Sequence, residues 1–311
     1  MGELRAGVIG VGYLGRFHAL KWAALDGARL VGVADSDPAR AQTVAAETGC
    51  TAYDDHRALL RTVDLVSVAV PTEHHHRIVC DCLEAGVHVL VEKPITPTVA
   101  QADDLIERAQ RRGLKLQVGH LERFNPAWQS ALPQIDRPRF IEAHRLAPFK
   151  PRGTDVSVVL DLMIHDLDLI LSVVGSPVTE VRASGTPVLT DGIDIGNARI
   201  EFANGCVANL TASRVSTGTL RKMRLFLRDR YLAVDFGART VGLARRGTDA
   251  QQPIVMDALP VPAGDALEAE IAAFAAAVRT DTPVPVSGED GRRSLALALE
   301  IAELMQRNTQ R

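Results

Sequence analysis

Leu4 to Gly15 reads LRAGVIGVGYLG, an apolar run followed at once by the spacing Gly10-x-Gly12-x-x-Gly15. Glycine at these three positions permits a tight turn, a close approach of the backbone to a pyrophosphate and close packing of a helix on a strand. A helix after such a turn offers its first N–H groups to phosphate oxygens. The stretch therefore predicts a β-α-β unit that binds a dinucleotide, with five contacting residues: Gly10, Gly12, Tyr13, Leu14 and Gly15.

A second apolar run, Leu30 to Ala34, ends at Asp35, twenty residues after Gly15. A carboxylate at the tip of the second strand accepts hydrogen bonds from both ribose hydroxyls of NAD and repels the extra phosphate of NADP. We therefore expect NAD as the cofactor. Asp35 could instead belong to a polar turn, because Asp37-Pro38 has the pattern of a helix N-cap with proline in the first turn. Both roles can coexist, with Asp35 on the cofactor and Asp37 on the helix.

Composition excludes several classes of protein. The 311 residues predict two domains, and the net charge of −3 provides no basic surface for nucleic acid or an anionic membrane. Four cysteines are too few and too scattered for a disulfide framework or a paired zinc motif. They are Cys50, Cys80, Cys82 and Cys206. Because the sequence shows no signal-peptide pattern and no run long enough to span a membrane, we expect a protein of the reducing cytoplasm.

The order of apolar runs predicts an α/β fold. From Asp35 to Val118, apolar strands alternate with amphipathic helices, which implies a doubly wound parallel sheet over residues 1–121. After Leu121 the segments are short and strand-like, so residues 122–311 are expected to form an α+β domain with a large, mostly antiparallel open sheet. Helices are predicted in that domain over residues 156–174, 266–278 and 292–305.

Two strand ends are predicted to carry site residues. The strand Val87 to Val91 delivers Glu92-Lys93-Pro94 to the carboxyl edge of the sheet, where open parallel sheets bind ligands. We expect Glu92 and Lys93 beside the nicotinamide, although the pair could form only a surface salt bridge. Pro94 is a candidate for a cis peptide bond. Pro71 and Thr72, which end the preceding strand, are predicted to contact the cofactor ribose.

A third candidate element is the segment Asp161-Leu162-Met163-Ile164-His165 with Asp168. Helical spacing would place Asp161, His165 and Asp168 on one face, and a histidine flanked by acids suits a general base. Such a histidine could also be structural, and the three residues could hold a metal, which a lysine delivered to the same cleft would oppose. His74, His75 and His76 fan out along a helix and cannot converge on one ion, so no metal is expected there.

Five motifs together resemble the Gfo/Idh/MocA oxidoreductases over nearly the whole chain. They are the glycine fingerprint, Pro71-Thr72-Glu73-His74-His75, Glu92-Lys93-Pro94, the stretch from Gly119 to Pro126 and Asp161-x-x-x-His165. The resemblance implies an N-terminal Rossmann domain, a C-terminal domain with a large open sheet, and a homo-oligomer, a dimer or tetramer, built across that sheet. It also implies oxidation or reduction of a sugar, a cyclitol or a related carbonyl compound.

The same resemblance assigns roles to residues of this chain. Lys93 would lie between the substrate hydroxyl and the nicotinamide, His165 would be the general acid/base, and Asp161 would orient the substrate or His165. His75 would lie near the nicotinamide ribose. The chain departs from many relatives in lacking a glycine cluster before Asp161 and in having Met163 where glycine is frequent, so the wall of the substrate site is expected to differ.

The segment Leu146 to Asp155 contains cations, prolines and a glycine, which suits a loop over an anionic substrate or a plain connection between domains. With the motifs around His120 and His165, it resembles the UDP-N-acetylglucosamine 3-dehydrogenase branch, which is linked to lipid A biosynthesis. That resemblance implies oxidation of the sugar 3-hydroxyl to a ketone. It implies six substrate-binding residues: His120, Arg123, Lys150, Arg152, Asp161 and His165.

Three alternatives remain open on the sequence. A dehydrogenase of an uncharged sugar or cyclitol would share the same motifs. A cofactor-sensing regulator would keep the fold without turnover, although it has no need of Lys93, Asp161 and His165 together. A metal-dependent lyase would use Asp161, His165 and Asp168.

Overall fold

The computed structural model describes residues 2–149, 156–249 and 251–309. Unit 1 comprises the described residues of Met1–Leu121 and Asp265–Arg292, and unit 2 those of Glu122–Gly264 and Arg293–Arg311. Residues 265–292, expected in the second domain, are grouped with unit 1. The helix Ala266–Thr280 packs in the core of unit 1, where Phe274 lies edge-on to Trp22 with ring centroids 6.5 Å apart. Periodicity predicts the apolar face of a helix but does not identify what that face packs against.

Unit 1 contains a doubly wound parallel sheet, as predicted. The strand order is β3-β2-β1-β4-β5-β6, and every pair is parallel. The elements in chain order are β1 (Leu4–Ile9), α1 (Tyr13–Ala24), β2 (Ala28–Ala34), α2 (Pro38–Thr48), β3 (Thr51–Tyr53), α3 (His56–Leu60), β4 (Leu65–Val68), α4 (His75–Glu84), β5 (His88–Glu92), α5 (Val99–Arg112) and β6 (Leu116–Gly119). The order reverses between β1 and β4, which creates a ligand-binding crevice at the carboxyl ends of these strands.

Local sequence explains the helix ends of unit 1. Asp37 accepts hydrogen bonds from the N–H groups of Ala39 and Arg40 at the start of α2. At α5, Thr98 caps the first turn and Gly113 ends the helix in the left-handed region with φ of 62°. Helix α5 accordingly has the bounds that the sequence predicts.

Unit 2 contains an eight-stranded sheet in the order β14-β13-β12-β11-β7-β10-β9-β8, antiparallel except for β7 with β10. Its elements are α6 (Pro126–Ala131), β7 (Phe140–Leu146), α7 (Ile164–Val174), β8 (Val178–Thr186), β9 (Ile195–Phe202), β10 (Val207–Ser213), β11 (Leu220–Phe226), β12 (Arg230–Asp235), β13 (Thr240–Asp249) and β14 (Gln252–Leu259). The helix Ala266–Thr280 is α8, and α9 is Gly288–Thr309. Along β9 and β10, buried residues alternate with more exposed ones, so one face of the sheet packs on α7 and α9.

Two features of unit 2 differ from the sequence prediction. The helix expected over residues 156–174 includes a π-helical turn, Val159–Met163, before α7 begins. The edge hairpin of β13 and β14 was not predicted. On β14, Ile254 and Met256 are largely exposed, so the strand lacks the alternation of buried and polar residues by which strands are recognised.

No helix within the described part of the chain is long and apolar enough to span a membrane.

The glycine turn between β1 and α1 leaves no room for a side chain at two of its glycines. Gly10 has φ of 82°, and a Cβ there would lie 2.8 Å from the carbonyl oxygen of Ala69. A Cβ on Gly15 would lie 1.8 Å from the Gly10 carbonyl oxygen, whereas one on Gly12 would meet nothing within 4 Å. The backbone therefore requires glycine at positions 10 and 15, while Gly12 faces open space that a ligand can approach.

Replacing Gly15 by alanine is expected to lower the free energy of unfolding of unit 1 by about 3 kcal/mol, because the new methyl group overlaps a backbone oxygen. Gly12→Ala is the matched control and should change it by less than about 1 kcal/mol. The measurement is urea unfolding followed by Trp22 fluorescence in a Trp128→Phe background, which isolates unit 1. Equal losses in the two variants would contradict the packing role of Gly15.

Candidate active site

A cavity of about 610 Å³ lies at the carboxyl edge of the unit 1 sheet. Seven of the residues predicted to bind the cofactor line it: Gly10, Gly12, Leu14, Asp35, Pro71, Glu92 and Lys93. Four others, Tyr13, Gly15, Thr72 and His75, lie outside its described lining. Gly15 packs beneath the turn, and Tyr13 lies in an adjoining depression with Gly12 and Arg40. The cavity has the location and the open glycine turn that a dinucleotide requires.

Asp35 is anchored at the tip of β2 by two backbone N–H groups. Val11 N donates to its Oδ2 at 2.8 Å, and Asp37 N donates to its Oδ1 at 2.9 Å. Nη1 of Arg40 also lies 3.3 Å from Oδ1. A carboxylate can accept about four hydrogen bonds, so capacity remains for a ribose hydroxyl. Sequence reasoning missed Arg40, which sits in the first turn of α2 and shares the cavity lining.

Glu92 ends β5 as a buried carboxylate held from two sides. Nε2 of His18, on α1, lies 3.0 Å from Oε1, and the backbone N–H of Lys93 donates to Oε2 at 3.2 Å. Burial opposes ionisation, but the bond and charge of His18, together with Lys93, outweigh it and lower the pKa of Glu92. The Lys93–Pro94 peptide is cis, as hypothesised. Glu92 therefore supports the turn that presents Lys93 to the cavity, rather than forming a surface salt bridge.

His18 was missed by sequence reasoning, although a signal exists. It lies three residues after Gly15 on α1, and residues three apart share one helix face. The face that Gly15 packs against the sheet therefore also carries His18 inward, where it is buried.

His75 joins two loops at the edge of the sheet. Its Nδ1 lies 2.8 Å from the Pro94 carbonyl oxygen and its Nε2 lies 2.9 Å from that of Val70. Burial lowers the pKa of His75, although both carbonyls favour the protonated ring. We interpret His75 as a residue that positions the segments after β4 and β5. Its neighbour His74 lines the cavity instead.

In unit 2, Asp161 lies in the π-helical turn and His165 in the first turn of α7, both half-buried. A π-helical turn has i→i+5 hydrogen bonds. The 3.6-residue period that placed Asp161, His165 and Asp168 on one face therefore does not apply across Met163. Asp168 is instead buried in a bidentate pair with Arg123, at 2.7 Å for both bonds.

The ion pair with Asp168 gives Arg123 a structural role. Sequence resemblance assigned this arginine to the substrate, but its guanidinium holds α7 three residues beyond His165. We therefore interpret Arg123 as a residue that positions the helix carrying His165. The same carboxylate was part of the metal site considered above. It is buried and each of its oxygens accepts from a different guanidinium nitrogen of Arg123, which disfavours a metal there.

A second buried arginine holds α7 to the sheet. Arg145, on β7, donates to both carboxylate oxygens of Asp166 at 3.0 and 2.8 Å and to Glu122 at 2.9 Å. Burial alone would lower the pKa of Arg145, but the two carboxylates raise it, so the guanidinium stays charged. Sequence reasoning missed this network because its members are far apart along the chain.

One further predicted substrate residue, His120, lies in unit 1. His120 directly follows β6 and is buried, with its backbone N–H donated to the Val118 carbonyl oxygen at 2.8 Å. Lys150 and Arg152 lie outside the described residues.

Comparisons with known proteins identify the family. The family model described as an oxidoreductase family with an NAD-binding Rossmann fold matches residues 4–120, and the GFO/IDH/MocA C-terminal domain matches residues 134–230. The chain is 46% identical over 303 residues to the UDP-N-acetylglucosamine 3-dehydrogenase of Acidithiobacillus ferrooxidans, with 96% of each covered. The chain belongs to the Gfo/Idh/MocA family of oxidoreductases. This membership confirms the predicted family, the Rossmann fold class and NAD as the cofactor.

Solved structures and more distant relatives agree with a Gfo/Idh/MocA fold. The structure of the UDP-N-acetylglucosamine 3-dehydrogenase GnnA from Acidithiobacillus ferrooxidans matches with a TM-score of 0.93 and 45% identity, covering 99% of both chains. The myo-inositol 2-dehydrogenase of Thermotoga maritima is 27% identical over 314 residues, with 94% of each covered. The chain is therefore an oxidoreductase of the dehydrogenase class.

Replacing Arg145 by methionine is expected to lower the free energy of unfolding of unit 2 by about 3–5 kcal/mol, because Asp166 and Glu122 lose their buried counter-charge. Arg224→Met is the matched control on the neighbouring strand β11. It removes an exposed pair with Glu142 and should cost about 1 kcal/mol or less. Urea unfolding followed by Trp128 fluorescence in a Trp22→Phe background measures both, and similar costs would contradict the role assigned to the buried network.

Proposed function

We propose that this protein oxidises the 3-hydroxyl group of UDP-N-acetylglucosamine to a ketone in an NAD-dependent reaction. The observation that carries the proposal is the 46% identity to a UDP-N-acetylglucosamine 3-dehydrogenase across 96% of both chains. The inositol dehydrogenase above is 27% identical over a similar length. A free sugar or a cyclitol is therefore the second candidate substrate.

The residues of the cavity fit NAD. The open space at Gly12 suits the pyrophosphate, Asp35 suits the adenosine ribose, and Lys93 lines the cavity at the end of β5. When bound, NAD supplies the hydride acceptor. A carboxylate at position 35 also disfavours the extra phosphate of NADP.

The chain's own residues supply proton transfer and charge. We assign to His165 the removal of the hydroxyl proton as the C–H hydrogen departs with its electron pair and the carbonyl forms. The Lys93 ammonium stabilises the negative charge that develops on the oxygen, and Asp161 orients the substrate or His165. Arg123 acts on His165 indirectly, through Asp168 and α7.

The remaining assignments are proposals that rest on the sequence resemblance. Lys150 and Arg152 bind the diphosphate, and His120 lies on the substrate side. We further propose a cytoplasmic homo-oligomer, a dimer or tetramer built through the unit 2 sheet, whose product enters lipid A biosynthesis. The four unpaired cysteines accord with a reducing compartment.

With NAD, the purified protein should remove two hydrogens from UDP-N-acetylglucosamine and leave myo-inositol and glucose unchanged. Product mass is the measurement, with NADH absorbance followed in parallel. A trapping amine and a 2-oxo acid cover an unfavourable equilibrium and recycling of a retained cofactor. Oxidation of a polyol but not of the nucleotide sugar would replace the proposed substrate by the second candidate.

His165→Ala and Lys93→Ala should each reduce turnover by at least about 10²-fold, because each removes a group that acts on the reacting hydroxyl. Binding of NAD, measured by calorimetry, should be largely kept in His165→Ala. Lys222→Ala is the control, since this lysine pairs with Asp235 on the unit 2 sheet. Near-normal turnover in both variants would refute the assigned chemistry while leaving the cofactor site standing.

A further inference from the structure

Helices α4 and α5 of unit 1 bring three metal-ligating side chains together on their partly exposed side. His76 and Cys80 lie one turn apart on α4, and Asp104 lies on α5. Their ligand atoms are Nε2, Sγ and Oδ2, which lie within 4.8 Å of one another. The individual separations are 2.8 Å for nitrogen to oxygen, 3.8 Å for sulfur to nitrogen and 3.7 Å for sulfur to oxygen.

The three groups converge on one point and do not form a proton relay. In a nucleophilic triad, the two ring nitrogens of the histidine contact different partners, the acid on one side and the nucleophile on the other. Here Asp104 and Cys80 both approach the same nitrogen, Nε2 of His76. Because both partners approach one atom, the three ligand atoms form a compact triangle with every side shorter than 4.8 Å. Three ligands of a single ion require such closeness.

The dimensions of that triangle suit tetrahedral zinc. Bonds of ~2.3 Å to sulfur and ~2.0–2.1 Å to nitrogen and oxygen imply donor separations of about 3.3–3.6 Å. The two separations that involve Cys80 are close to this range, and the nitrogen-to-oxygen separation would lengthen by about half an ångström as the ion replaces their hydrogen bond. Since His76 and Asp104 remain 28% and 33% exposed, water can reach the fourth position.

We propose that His76, Cys80 and Asp104 form a zinc site that links α4 to α5, independent of the dehydrogenase reaction. A mixed set of nitrogen, sulfur and oxygen donors favours zinc over magnesium or calcium, which prefer oxygen alone. His74 and His75 take no part, because the former lines the cavity and the latter binds two carbonyls.

The charges around the site set the conditions for binding. Arg108, on α5, donates from Nε to both oxygens of Asp104, at 2.9 and 2.8 Å, and its Nη1 contacts Glu84 of α4. Binding of the ion at Oδ2 must displace the Nε contact to that oxygen, while Oδ1 keeps the arginine. Burial raises the pKa of the Cys80 thiol to about 11, so zinc must displace the thiol proton.

Titration of the metal-free full chain with Zn²⁺ against a chromophoric chelator should show one ion per chain. Co²⁺ should produce a thiolate-to-cobalt charge-transfer band, which reports the Cys80 sulfur directly. Cys80→Ser should abolish the band, and His76→Gln and Asp104→Asn should each weaken Zn²⁺ binding by at least about 10-fold. Cys50→Ser and His74→Gln are matched controls that remove the same residue types outside the cluster, and both should bind as the unaltered chain does.

Absence of Zn²⁺ binding to the unaltered chain would overturn the site, as would binding that survives all three ligand substitutions. Because the readouts are metal content and the cobalt spectrum, failure here does not bear on the proposed oxidation, and failure of the oxidation does not bear on the metal.

Discussion

The close contact between Gly15 and the Gly10 carbonyl is the constraint on which the unit 1 site depends. A Cβ at Gly15 would lie 1.8 Å from that oxygen, so only glycine lets α1 pack this close to the end of β1. The same face of α1 carries His18 inward, where Nε2 meets the Glu92 carboxylate at 3.0 Å. Glu92 in turn accepts the N–H of Lys93. The close packing of α1 that Gly15 allows therefore supports, through His18 and Glu92, the position of Lys93 at the cavity.

In unit 2, buried ion pairs hold the helix that carries His165. Arg145 binds Asp166, and Arg123 binds Asp168, so two arginines from outside the helix hold the first turns of α7. A buried carboxylate without a counter-charge is costly, so few other orientations of this helix are accessible. His165 directly precedes Asp166, so these pairs hold the helix that carries it. In both units, buried supporting residues hold the segments that carry Lys93 and His165, the residues for which we propose a role at the reacting atoms.

Local signals predicted the parts of the fold that local interactions determine. Helix α5 begins at a threonine cap and ends at a left-handed glycine, both visible in the sequence. The π-helical turn at Asp161 carries no such signal, because its i→i+5 bonds interrupt the period that the prediction assumes. The exposed strand β14 lacks the required alternation, and the apolar face of α8 gave no indication that it packs on Trp22. These features depend on neighbours that are distant in sequence.

Residue spacing alone identifies the glycine turn, the acid after β2 and the lysine after β5, because each is a short motif whose spacing reflects backbone geometry. The ordered set of such motifs identifies the family. Packing between elements, by contrast, determines which of the predicted residues line the cavity of unit 1 and which hold a neighbouring segment of their own unit. His75 and Arg123, both expected at ligands, are engaged with carbonyl oxygens and with Asp168, respectively. The physical reason is that a buried polar group must find a partner, and that partner is set by packing between elements, which spacing along the chain does not encode.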